Sequence, residues 1–395
     1  MRISDRERRS LPSALRWSMF GLLAGTLTVA ALVSSGRGSF RARTPSLPAI
    51  AQQPVNSGVS TVVAADPRLA TLSLQGSAVS PVLSDGASVW FVLAEGDPPR
   101  ATLYHYTPSS GVLSTVASFD SAGRLSSLAK VSGGIAVANG ERITLVSPEG
   151  VTSNLVLAER PRAKDPQNAL LPEEIRAMAA DDTTLFIARY NVQGIEVVDT
   201  TKLQVVDFLP LPKDLAPPAS LILMVGGALL VGSPYDFYDI RGGAAKLVPG
   251  VGVVERWTDL RPYSLATFHG GVLGTQTSFA TPVAIDTDGK FYSLDRALPV
   301  SGKEDVLAAD GDVIAVAPDG GGVLFVSRGV GQSERYNLPV FQGEPSRPPN
   351  IDASDASRPD LVKFPASISS LAVTDDGYIV MTVNAMTATV AVVAP

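Results

Sequence analysis

Cysteine is missing from all 395 residues. Disulfides, thiolate metal sites and cysteine nucleophiles are thereby excluded, so stability must come from the core and from topology. Histidine is nearly missing too: His105 and His269 are the full set. A histidine-rich metal site is ruled out, and a histidine-based triad would have to use one of these two. His105 stands inside the apolar run LYHYT and His269 beside Gly270 and Gly271, which are contexts of strand and turn packing. Charge is thin, at 18% against 45% apolar residues. Such a composition supplies a large buried core and argues against global disorder.

Other signatures of chemistry are lacking as well. Asp319-Gly320-Gly321-Gly322 precedes a strand rather than a helix and has no P-loop lysine. No G-x-S-x-G nucleophile elbow occurs. Asp286-Thr287-Asp288-Gly289 opens like a calcium loop, but the twelfth position, where an acidic ligand is required, is Ala297. The segment reads better as a hairpin turn. No catalytic, cofactor-binding or metal-ligating residue is assigned from the sequence, and no cofactor is expected.

What the chain does have begins at its N-terminus. Residues 1–44 carry eight Arg against Asp5 and Glu7, and the remainder holds 24 basic and 36 acidic residues, a net of −12. So acidic a body is a poor nucleic-acid binder, because counterion release needs clustered Lys and Arg. Between Arg16 and Arg37 no residue is charged, and Trp17 to Val33 is almost wholly apolar. At a helical rise, about 20 such residues span roughly 30 Å, one hydrocarbon core. Five arginines precede this run and three follow, which keeps the N-terminal end in the cytoplasm and puts the body outside. The expected order is a basic tail (1–16), a transmembrane helix (17–36), a flexible linker (37–59) and one β domain (60–395). The apolar run is long for a cleaved signal peptide and reads as a signal-anchor; cleavage near Val33-Ser34-Ser35, giving a secreted body, is the alternative.

From about residue 80 one phrase recurs seven times. It has a small residue, an aliphatic anchor, a few polar residues with Gly or Asp, then an apolar β run. The anchors are Val82, Leu128, Met178, Leu221, Leu265, Val306 and Leu371. Seven positions later stand Val89, Ile135, Leu185, Ala228, Val272, Val313 and Tyr378. The phrase reads as a β-hairpin in which the anchor ends one buried strand and the Gly/Asp pair makes the turn. A second hairpin follows each time, as in RITLVSPEGVTSNLV. Two hairpins make a four-stranded antiparallel sheet, and the anchor spacings of 46, 50, 43, 44, 41 and 65 residues suit propeller blades. The expected fold is all-β, a seven-bladed β-propeller. After Leu371 there is room for only three strands, and LATLSL (Leu69 to Leu74) supplies the fourth, closing the ring without a free sheet edge.

The third repeat, MAADDTTLFIARYNVQGIEVVDTTKLQVVDFLPL, resembles the YVTN/NHL-type propeller repeats of bacterial envelope proteins, in which "V-x-V-I-D-T" recurs. The resemblance spans Met178 to Leu211 and implies a propeller; many members of those families are non-catalytic binding platforms. Two insertions break the period, at 158–175 and, rich in proline, at 341–366. The residues just before the anchors are Pro81, Ser127, Ala177, Ser220, Ser264, Asp305 and Ser370, mostly small, as a narrow central channel requires. A single Asp among them does not hold an axial metal. The expected function is a non-catalytic, membrane-tethered binding or scaffolding module outside the cytoplasm. Its expected partner is an envelope protein or a cell-wall polymer. The alternative is a lactonase- or hydrolase-type enzyme with its site at the channel mouth.

Overall fold

In a computed structural model, residues 68–395 are described apart from 161–173, 234–241, 259–261, 276–281, 286–289, 295–297, 301–304, 319–321, 330–332, 339–366, 385–387 and the single positions 73, 75, 77 and 191. The segments 17–36 and 37–59, the insertion 341–366, most of the insertion 158–175, Asp286-Thr287-Asp288-Gly289 and most of Asp319-Gly320-Gly321-Gly322 lie outside the described residues. Among the described residues no helix is long and apolar enough to cross a membrane.

The described strands form seven antiparallel sheets. In chain order the blades span Ala78–Asp120, Leu125–Val156, Ile175–Pro210, Ser220–Trp257, Leu265–Ser293, Val306–Asn337 and Ser367–Val393. Each runs as an up-and-down meander from an innermost to an outermost strand. Blade 7 takes its outermost strand from the other end of the chain, where Leu69–Thr71 pairs with Thr389–Val393, Leu69 opposite Val393. The expected closure is therefore the observed one.

Apolar residues form seven clusters, and each joins two consecutive blades. Leu103 and Phe119 of blade 1 meet Leu128 and Val137 of blade 2, and the series ends where Val380 and Val392 of blade 7 meet Phe91 and Tyr106 of blade 1. A blade thus buries both faces, which is why Gly134–Asn139, a second strand, is buried at almost every position. Thr152–Val156, the outermost strand of the same blade, alternates exposed and half-buried residues. Burial on two faces selects the continuous apolar runs seen along the inner strands.

Six of the seven anchors lie in innermost strands, and Val82 sits just ahead of Leu83–Asp85 in blade 1. Val82, Leu128, Met178, Leu221 and Leu371 are buried, and Leu265 and Val306 are half-buried. They do not end their strands, as the sequence reading had it: Leu128 lies within Leu125–Val131, while Leu265 and Val306 open Leu265–Phe268 and Val306–Asp310. A register shift falls just ahead of the anchor in blades 2, 3 and 7. Blade 1 carries the same irregularity further. Its innermost strand is split into Ala78–Val79 and Leu83–Asp85, both paired with Ser88–Glu95. Pro81 has no N–H to give the ladder, and Ser80 bridges the gap: its Oγ accepts from Val92 N–H at 2.8 Å.

Candidate functional site

Antiparallel meanders bring all innermost strands to their start at one end of the ring. Between the innermost strands of blades 1, 2, 5, 6 and 7 lies a cavity of about 260 Å³. Its wall includes Pro81, Ser127, Ser264, Asp305 and Ser370, five of the seven residues that precede the anchors, together with Tyr263 and Ser369. Ala177 and Ser220 of that column are not part of the wall.

The serines are small, as a narrow channel requires, but they have a second role that the sequence reading missed. Ser370 Oγ of blade 7 accepts from Val82 N–H of blade 1 at 3.0 Å. Ser127 Oγ of blade 2 accepts from Met178 N–H of blade 3 at 3.0 Å. Ser264 Oγ of blade 5 accepts from Leu307 N–H of blade 6 at 3.1 Å. Ser220 Oγ of blade 4 donates to Pro262 O, ahead of blade 5, at 3.2 Å. The hydroxyl before the anchor is therefore a stitch from one blade to the next. It satisfies a main-chain group at the start of the next blade, on the axis-facing side where no further strand pairs with the sheet. The signal was present: blades 2, 4, 5 and 7 all read Ser-Leu at this point.

One stitch can be tested directly. Ser127→Ala leaves the buried Met178 N–H without its acceptor and is expected to cost about 1–3 kcal/mol, read by urea denaturation. Ser110→Ala, in an exposed turn, is expected to cost about 0.5 kcal/mol or less. Equal losses at the two positions would refute the stitch.

Asp305 is fully buried in the cavity wall. Among the described residues, no three His, Asp or Glu side chains come together as a metal site would require. The two histidines are held apart in blades 1 and 5. His105 Nε2 lies 2.8 Å from Ser88 Oγ, with its ring 4.3 Å from that of Trp90. His269 is a turn residue with φ 47°, and its Nε2 sits 3.2 Å from Asp312 Oδ1, both side chains well exposed. His105 thus stands in a strand and His269 in a turn, the contexts that their sequence neighbours indicate.

Blade 3 holds a buried ionic cluster that the sequence did not disclose. Arg189 and Glu196 are each 1% exposed and lie 3.3 Å apart. Arg160 Nε adds a 2.8 Å contact to Glu196, and Arg189 donates to Ala158 O at 2.8 Å. The cluster thus fastens residues 158–160, where the first insertion leaves blade 2, onto blade 3. Arg160 also stacks over the Phe208 ring at 4.8 Å.

The architecture has many solved counterparts. A streptogramin B lyase is 13% identical with a TM-score of 0.57, covering 82% of this chain and 96% of that one. A catalytically inactive virginiamycin B lyase from Staphylococcus aureus, with quinupristin, is 11% identical with a TM-score of 0.56, covering 82% and 98%. The WD40 β-propeller domain of Doa1 is 13% identical with a TM-score of 0.52, covering 82% and 95%. At these identities the likeness establishes the fold. The chain is a seven-bladed β-propeller. No family model matches it, and no curated protein does. Because one propeller architecture serves unrelated activities, function must be argued from the site.

Proposed function

We propose that this propeller is a non-catalytic binding module of the bacterial cell envelope, of the YVTN/NHL type. In this reading residues 17–36 hold it at the membrane, and the ring stands outside the cytoplasm. There it meets an envelope protein or a cell-wall polymer. The observation that carries the reading is the use of the channel hydroxyls. Ser127, Ser264 and Ser370 face the cavity, yet their Oγ atoms are engaged in holding blade to blade. A general base or nucleophile must be within reach of substrate, not tied to the scaffold. The YVTN/NHL-like third repeat and the arginine-flanked apolar segment support the type and the location.

The enzymatic alternative places its chemistry in the same cavity, where Asp305 and Tyr263 are the titratable side chains of the described wall. One set of experiments on intact cells separates the two. Protease added outside is expected to degrade the ring and spare a tag at the N-terminus. Cross-linking is expected to yield a specific envelope partner whose capture survives Asp305→Asn and Tyr263→Phe. Turnover of a lactone or ester that those substitutions abolish would replace the binding reading with the enzymatic one. A ring protected from external protease would overturn the location.

A further inference from the structure

Blades 1 and 2 leave a groove of about 160 Å³ between them, at the end where the innermost strand of blade 2 finishes. A cavity of about 150 Å³ takes a benzene-sized group, so this one is sized for a single large side chain. Leu103, Val116, Ile135 and Val146 supply apolar walls and Trp90 an aromatic one. Among the described residues that line it, Lys130 alone is charged.

The polar edge of the groove is held in place from behind. Trp90 Nε1–H donates to Asp85 Oδ2 at 3.0 Å, and the indole packs on His105. Lys130 Nζ reaches Asp85 Oδ1 at 2.5 Å. Partial burial pushes the Asp85 carboxyl up, but the hydrogen bonds from Lys130 and Trp90 outweigh it and hold its pKa below the usual carboxylate value. The Lys130 side chain is 59% exposed and that of Asp85 only 24%. The mouth therefore presents a cation, with its counter-charge set back behind it, and Asp85 occupies one of the three ammonium donors.

The surface beside the mouth is apolar and strand-like. Val116 belongs to Val112–Asp120, the outermost strand of blade 1, and Val112 and Leu113 of that strand are exposed. Blade 2 closes on the same strand so tightly that a Cβ on Gly150 would lie 2.5 Å from Val116 O. Val151, next in the chain, is exposed as well.

The geometry points to this groove as the docking site for an extended peptide that carries one large apolar residue close to an acidic one. The apolar side chain enters beside Trp90 and the carboxylate meets Lys130, while the rest of the peptide runs outward across the blades toward the exposed Val112 and Leu113. This rests on the binding-module reading and names the chemistry of the partner. The side chains that would anchor it are already fixed, so little ordering cost falls on binding.

The test uses the full chain and a short labelled Gly/Ser peptide bearing Phe with a nearby Glu, followed by fluorescence anisotropy. Replacing the peptide's Phe with Ser, or its Glu with Lys, is expected to weaken binding at least about tenfold. Lys130→Glu is expected to reverse the preference between the Glu and Lys peptides. Ser147→Trp, which fills the mouth, is expected to abolish binding, with melting curves confirming that both variants fold. The proposal is overturned by equal binding of the Phe and Ser peptides, by an unchanged charge preference in Lys130→Glu, or by no measurable binding at all. If the peptide fails while the tethered chain still cross-links its envelope partner, the groove falls and the binding-module reading stands. If the peptide binds and the cross-link is never formed, the envelope reading falls instead.

Discussion

Removing residues 68–76 is expected to abolish the single cooperative unfolding transition of the ring. These residues are short of side-chain mass but rich in closure. Leu69–Thr71 pairs with Thr389–Val393, Leu72 N–H donates to Val390 O at 2.9 Å, and Gly76 bridges Ala388. Thr389 Oγ1 donates to both Leu72 O and Leu74 O. Without them, Thr389–Val393, buried along its whole length, becomes the edge of an open sheet. An uncharged Thr-Val-Ala-Val-Val edge is a template for pairing with other chains. Light scattering should therefore rise as the sharp denaturant transition disappears. Removing residues 37–55 is expected to change neither. Equal tolerance of the two deletions would show that the ring closes by some other contact.

The second large effect belongs to the ionic cluster of blade 3. Glu196→Ala removes the carboxylate that lies 3.3 Å from the Arg189 guanidinium, itself 1% exposed, and is expected to cost about 3–5 kcal/mol. Burial is what sets the size: Arg160 makes the shorter contact to the same carboxylate, yet it is 31% exposed. Arg160→Ala should cost about 1 kcal/mol. A double change, Arg189→Met with Glu196→Leu, replaces the buried pair with apolar volume and should recover much of the loss. Urea denaturation reads all three. If Glu196→Ala and Arg160→Ala prove equally mild, the cluster is solvated in solution.

The parity of one turn explains how far the repeat could be read. In blade 2 Val131 pairs with Gly134 across a two-residue turn, so a residue and the one seven places later face the same way. Leu128 and Ile135 accordingly share the cluster between blades 1 and 2. Blades 1, 3, 5 and 6 turn over two residues in the same way, and there too the two aligned columns meet in one cluster. In blade 4 the turn is longer by one residue: Met224 N–H donates to Ala228 O, and Gly226 and Gly227 sit at positive φ. Blade 7 does the same between Thr374 and Tyr378. One added residue reverses the facing. Leu221 and Ala228 fall in different clusters, as do Leu371 and Tyr378. A gapless alignment found all seven blades because the strands are periodic, and it crossed the facing in two because turn length is not written in the apolar pattern.

The Asp-Thr of the third repeat has a physical basis of the same kind. Asp199 Oδ1 accepts from Thr201 N–H at 2.9 Å and from Thr201 Oγ1 at 2.6 Å, and Thr200 Oγ1 donates to Thr183 O at 2.8 Å, together pinning the turn that leads to the outermost strand. Hydrogen bonds from Lys202 and Thr201 hold its carboxyl far below the usual carboxylate value. The resemblance was thus carried by a turn and bears on how the blade is built. The site was less legible than the fold. Ser127, Ser264 and Ser370 were found as small residues, but a cross-blade acceptor can be recognised only when the next blade is in view. The groove beside Trp90 joins residues from position 90 to position 148, and no local motif spans such a set.

The strand that completes the ring is also the first one that follows residues 1–67, and this sets where a mechanical load would enter. Tension drawn from the N-terminal side meets Arg68 before it reaches Leu69–Thr71. That side chain spreads over the Tyr336 ring at 4.1 Å, donates to Arg335 O at 3.0 Å and reaches Glu334 at 3.4 Å. The force is therefore shared with blade 6 before it arrives at Leu69–Thr71, whose hydrogen bonds lie across the strand axis and resist a lengthwise pull together. Under such a load the latch of the ring would be protected by the rivet placed one residue ahead of it.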